Sequence, residues 1–119
     1  MKIFLVNPPL THQEAAGKMK RIIGLLPPLG IGYIAAVLEK HGFEVKIIDC
    51  PPLNITQADL SALFEKERPE IIGFTITTVS VQSALIATQN ARRLSAHSLI
   101  VMGGPLQATP GKLQKLIQE

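Results

Sequence analysis

The feature that most restricts what this chain can fold into is a series of short apolar runs, each stopped by proline or glycine. The first, residues 2–7, contains Ile3-Phe4-Leu5-Val6 and stops at Pro8-Pro9. The second, residues 44–49, stops at Cys50-Pro51-Pro52, and the third, residues 70–77, centres on Ile71-Ile72-Gly73-Phe74. The fourth, residues 98–102, breaks at Gly103-Gly104-Pro105. Runs of this length and continuity read as strands buried on both faces, which is the pattern of a parallel sheet with helices on each side. Helical patterns fall between them. Residues 29–41 are apolar nearly all round until Glu39 and Lys40, and Gly42 suits a left-handed position just past the helix end. Thr56-Gln57-Ala58-Asp59 forms a capping box ahead of Leu60, Leu63 and Phe64, and Arg68-Pro69 closes that helix. Residues 81–94 place Ala84, Leu85, Thr88, Ala91 and Leu94 inward. Thr109-Pro110 starts a last helix with Leu113, Leu116 and Ile117 as its stripe.

Strand and helix therefore alternate four times. Right-handed crossovers restrict such a chain to an α/β three-layer sandwich, flavodoxin-like or Rossmann-like, with a parallel sheet of at least four strands. A flavodoxin-like order calls for a fifth strand where the sequence stops, at Glu119. We expect residues 1–119 to be a single domain, truncated before that strand and cut from the N-terminal part of a longer protein.

Composition narrows the function classes. With 119 residues the chain supports one core, with an expected radius of gyration of roughly 13–14 Å. The 46% hydrophobic content argues against disorder. A single cysteine, Cys50, excludes an internal disulfide and a multi-cysteine metal or iron–sulfur site; it reads as a small buried hydrophobe. Twelve Lys and Arg against nine Asp and Glu give a scattered +3, and the 4% aromatic content offers little for base stacking, so nucleic acid is disfavoured. Residues 22–38 carry no charge, but Pro27-Pro28 and Gly24, Gly30 and Gly32 interrupt them. They read as a loop and a buried helix rather than a membrane span. The first apolar run is too short for a signal-peptide core, which makes the cytoplasm the default location.

In open α/β sheets, ligands bind beyond the carboxyl ends of the strands. Here those ends carry Asn7, Pro8 and Pro9; then Thr75, Thr77, Thr78 and Ser80; then Gly103, Gly104 and Pro105. They offer hydroxyls, small residues and backbone amides, with no acid–base or nucleophile pair. The loop over residues 10–26 far exceeds the about two to six residues usual for a strand–helix connection. It holds His12, Glu14, Lys18, Lys20 and Arg21 and then Ile22-Ile23-Gly24-Leu25-Leu26, an apolar run suited to a large cofactor or another domain. Gly30 and Gly32 open the first helix, where they serve either close ligand approach or helix–sheet packing. Neither a G-x-G-x-x-G after the first strand nor a P-loop motif is present, which disfavours nucleotide sites of those types.

Taken in order, N7-P8-P9, P27-P28-L29-G30-I31-G32-Y33, H41-G42-F43-E44-V45, D49, P69-E70-I71-I72-G73-F74-T75 and V101-M102-G103-G104-P105 form a familiar series. The chain resembles the N-terminal cobalamin (vitamin B12)-binding domain of B12-dependent radical SAM proteins over nearly its whole length. The resemblance implies a domain that holds the corrin over the strand ends, with the dimethylbenzimidazole tail inserted at the sheet edge and the cobalt without its own base. It maps the residues that flank that tail onto Thr75, Thr77, Thr78, Gly103, Gly104 and Pro105; with Asn7, Pro8, Pro9 and Gly30 from the strand-end reading, these are the expected cofactor contacts. It also implies a C-terminal radical SAM domain carrying a [4Fe-4S] cluster and S-adenosylmethionine, and methyl transfer as the parent activity. Cys50 alone cannot supply the CxxxCxxC motif of that domain, so no catalysis is expected from this chain by itself. A second departure is Leu106-Gln107 in place of the His that often follows G-G-P, and the D-x-H-x-x-G signature of the His-ligated B12 proteins is also absent.

His12 lies on the loop from which a lower cobalt ligand would come, but it reads first as a solvated loop histidine, and no metal ligand is assigned. His41 suits the helix C-terminal dipole, His97 reads as surface, and Asp49 as a turn residue. Lys18, Lys20 and Arg21 read as a solvated charge run or a contact for phosphate or an acidic surface. The alternatives to cobalamin binding are a cofactor-free flavodoxin-like interaction or signalling module and a small Rossmann-like nucleotide-binding domain. Leu113, Leu116 and Ile117 would allow association of two copies.

Overall fold

The computed structural model describes residues 1–9, 29–76 and 80–103. The last helix expected from residue 109 lies outside them. The elements run β1 (Lys2–Asn7), α1 (Leu29–Lys40), β2 (Glu44–Asp49), α2 (Cys50–Leu53), α3 (Gln57–Glu67), β3 (Ile71–Thr75), α4 (Val81–Leu94) and β4 (Leu99–Gly103). Among the described residues the four strands form one all-parallel sheet in the order β2-β1-β3-β4. This is the flavodoxin-like arrangement, and its order reverses between β1 and β3. Right-handed crossovers then dictate the layers. The connection from β1 leftward to β2 sends α1 to one face, and the connections rightward send α3 and α4 to the other.

Strand alternation gives the two faces separate cores. On the α3/α4 face, Phe4, Val6, Ile48, Ile72 and Phe74 meet Leu60, Phe64, Ala84, Ala87 and Ala91. Phe64 lies 6.3 Å from Phe4 and 6.2 Å, edge-on at 87°, from Phe74, the geometry that aromatic quadrupoles favour. On the α1 face the core is smaller: Ile3, Leu5, Ile31 and Ala35, with Leu38, Val45 and Ile71 against them.

Local signals fix the element ends. Thr56 Oγ1 accepts from Asp59 N–H while Asp59 accepts from Thr56 N–H, which is the capping box read from sequence. Gly42 takes φ +88° past α1, and Arg68 caps α3 in the left-handed region ahead of Pro69. Three details differ from expectation. Cys50-Pro51-Pro52 ends β2 as expected but does so as the first turn of α2, because proline suits the start of a helix. The inward line of α4 is Ser83, Ala84, Ala87, Thr88 and Ala91, with Leu85 and Leu94 half-buried beside it; small residues allow the helix to sit close against the sheet. Burial on both faces holds for β1 but not for β2 and β4, where Ile47, Leu99 and Val101 are 44%, 61% and 48% exposed. These strands are the edges of the described sheet, and on their α1 side α1 is the one described helix.

Candidate functional site

The carboxyl edge of the sheet differs on its two sides. On the α1 face a cavity of about 410 Å³ opens between α1 and the sheet, within the ~300–1,000 Å³ of small-molecule sites. Ile31, Ile34 and Leu38 of α1 form one wall, and Leu5, Gly73 and Val101 of the sheet form the other. Gly30, Thr75 and Gly103 also line it, at the carboxyl end, where α1 begins and β3 and β4 finish. Thr75 carries the one polar side chain among the described lining residues.

Two glycine environments explain the space. A Cβ on Gly30 or Gly103 would meet nothing within 4 Å, and neither has a positive φ. Internal packing among the described residues therefore demands glycine at neither position. Gly73 is different: a Cβ there would stand 3.1 Å from Leu5 Cδ2. Its bare backbone forms part of the cavity wall. Gly73 was read from sequence only as part of a strand; the available signal was a glycine inside an otherwise bulky run, which marks a close approach to backbone.

Asn7 lies on the same face, two residues beyond Leu5. Its Nδ2 donates to Asp49 Oδ1 at 2.8 Å across the β1–β2 ladder, and both side chains are half-buried. Pro8 and Pro9 are buried and do not line the cavity. Ser83 Oγ donates to Pro9 O, and Gln57 Nε2 donates to Ser83 Oγ and Ser83 O, each at 3.0 Å. The exit of β1 is thus tied to the first turns of both α3 and α4. Gln57 Oε1 is buried and has no partner among the described residues. Neither Gln57 nor Ser83 was singled out from sequence, because only the fold brings three distant segments together.

The structure therefore gathers Gly30, Thr75 and Gly103 at one cavity, with Asn7 two residues past its Leu5 wall and Pro8 and Pro9 buried outside its lining. Thr77, Thr78, Gly104, Pro105 and His12 lie outside the described residues. Cys50 is fully buried, and that burial, with the Asp49 carboxylate beside it, pushes its thiol up to about 12. It is held as the thiol and is no nucleophile. Among the described residues no three His, Cys, Asp or Glu side chains gather in a way that could hold a metal ion. Nor is any described helix long and apolar enough to cross a membrane.

The family model for the B12 binding domain matches residues 19–117. The chain belongs to the B12-binding domain family. An uncharacterized methyltransferase of Pyrococcus horikoshii is 38% identical to this B12-binding domain over 107 residues, 88% of the chain and 22% of the relative. Cytidylyl-2-hydroxyethylphosphonate methyltransferase of Streptomyces wedmorensis is 82% identical over 22 residues, 18% of the chain and 4% of that protein. The chain thus spans 22% and 4% of the lengths of these curated relatives. No solved structure matches it. The match to the family begins after β1, so Asn7, Pro8 and Pro9 stand outside it. The residues present fit the cofactor of a B12-binding domain: an apolar slot that reaches the strand ends suits an aromatic tail, and glycines whose side-chain space holds no other described residue suit a broad ring laid over them.

Proposed function

We propose that this chain is the cobalamin-holding module of a B12-dependent radical SAM methyltransferase. The observation that carries the reading is the apolar cavity between α1 and the sheet, which reaches the carboxyl edge at Gly30, Thr75 and Gly103, in a chain that belongs to the B12-binding family. In this reading the dimethylbenzimidazole tail occupies the cavity between Ile31 and Ile34 on one side and Leu5 and Gly73 on the other. Gly30 and Gly103, with no neighbour among the described residues in the space a side chain would fill, let the corrin approach the backbone. Thr75 supplies a hydroxyl at the cavity, and Thr77, Thr78, Gly104 and Pro105, which follow β3 and β4 in sequence, are further candidate contacts. Asn7 contributes an amide from the β1 end. The walls exclude water from the tail, and burial of that surface supplies the affinity. When bound, the cofactor supplies a cobalt centre for methyl transfer. A tail held in the cavity leaves that centre without its own base. The iron–sulfur cluster and S-adenosylmethionine belong to a further domain, in keeping with the small share of the methyltransferase relative that this chain covers.

Titration of the purified chain with hydroxocobalamin, followed by absorbance after desalting, tests the reading. Retained cofactor with a base-off spectrum is the expected result. Retention with a base-on spectrum would overturn tail insertion, and absence of retention, in this chain and in one extended at its C-terminus, would overturn the module itself.

A further inference from the structure

Asn7 and Asp49 are register partners at the last rung of the β1–β2 ladder. The alternation of both strands puts them on the α1 face, and the 2.8 Å bond from Asn7 Nδ2 to Asp49 Oδ1 joins them. A carboxylate only accepts, whereas an asparagine amide has a donor end and an acceptor end. With Asp49 opposite, the Asn7 amide has one favourable orientation, because turning it over would set two acceptors against each other. One N–H is committed to Asp49. Among the described residues the second N–H and the Oδ1 have no further partner, which leaves a donor and an acceptor side by side at the rim. The chemical group complementary to that pair is another primary carboxamide, which pairs through two antiparallel N–H···O bonds. Charge points the same way. The described part of the carboxyl edge, from residues 7–9, 49–57, 75–76, 80–83 and Gly103, contains no Lys or Arg, so none of these residues offers a carboxylate a cationic partner. Corrin rings carry primary carboxamides around their periphery.

We infer that Asp49 is a positioning residue that orients the Asn7 amide to pair with a peripheral carboxamide of the corrin. This rests on the cobalamin reading above. The unusual consequence is selectivity: the pair recognises an amide and rejects the corresponding acid, whose carboxylate would face Asn7 Oδ1. Freed from Asp49, the amide can turn its NH2 group toward that carboxylate, and the discrimination fades.

The test compares hydroxocobalamin with the monocarboxylic acids made by hydrolysing one peripheral carboxamide at a time, using dissociation constants read by absorbance. The native chain is expected to bind one of these acids about tenfold more weakly than hydroxocobalamin. In D49N that ratio should shrink toward one, while thermal melting shows the variant folded. N7A should lose the same discrimination, and D49N added to N7A should change nothing further. A purely structural role for Asp49 would weaken both ligands equally and preserve the ratio, which would overturn the inference. A native chain that binds every acid as well as hydroxocobalamin would also overturn it. A native chain that binds no hydroxocobalamin would instead overturn the cobalamin reading, and the inference would fall with it.

Discussion

At the scale of single residues, Gly73 and Cys50 separate two kinds of buried small side chain. Gly73 is small where Leu5 comes close and the cavity wall is bare backbone. Its substitution by valine should weaken hydroxocobalamin binding about tenfold or more, as extra methyl groups intrude on a packed ligand. The thermal stability of the ligand-free chain should fall by less than binding does, because the close approach to Leu5 Cδ2 is partly offset by the roughly 0.5–1 kcal/mol that glycine inside a strand costs. Equal losses of binding and stability in G73V would contradict this assignment. Cys50 is small because the α3/α4 core is full. Its thiol ionises near 12 in the native chain against the ordinary 9.0, so the unfolded chain gives up its proton first. Stability should therefore fall as pH rises from about 9 to 12, and C50A should flatten that dependence in urea titrations. Iodoacetamide at pH 8 should label Cys50 only after denaturation. Gly30, Thr75 and Gly103 were legible in the sequence because the carboxyl edge is a place that topology alone defines. Gly73, Gln57 and Ser83 were not, because their roles depend on which distant segment lies opposite.

At the scale of elements, most boundaries were readable because each is written in a short local code. The capping box at Thr56 and Asp59, the left-handed Gly42 and the Arg68-Pro69 stop each satisfy backbone groups within a few residues. T56A should cost about 1 kcal/mol in urea unfolding through loss of the α3 cap; a change indistinguishable from zero would mean that α3 is held by packing alone. Apolar continuity was less informative. It marked β2 and β4 as strands but could not say that they would be edges, since burial of a strand depends on its neighbours rather than on its own residues. The inward face of α4 was misjudged for a related reason. Leu85 and Leu94 promise more burial energy than Ser83 or Ala87, but the line nearest the sheet goes to the side chains that let the helix come close.

At the scale of the molecule, the described ion pairs gather toward the amino end of the sheet, away from the proposed cofactor site. Toward the amino edge, Lys46 hydrogen-bonds Glu67 at 2.9 Å, Lys2 lies 3.6 Å from the same carboxylate, and the Lys2 backbone N–H donates to Glu70. The hydrogen bond from Lys46 lowers the Glu67 pKa, that from the Lys2 backbone lowers Glu70, and those from Thr56 lower Asp59. Each depressed carboxylate stabilises the fold above its unfolded pKa and loses that contribution as the pH falls through its native value. Urea midpoints should accordingly decline below roughly pH 4, with E67Q showing a shallower decline. The unequal cores carry a different implication. One face of the sheet is closed by two described helices, while the other keeps a cavity that a vitamin is proposed to fill. Cobalamin at a hundred times its dissociation constant should then add about 2.7 kcal/mol to unfolding, measurable as a rise in melting temperature. Such a chain has no sharp border between folding and recognition. The vitamin would serve as its final hydrophobic side chain, delivered from outside, and vitamin scarcity would be felt first as lost protein.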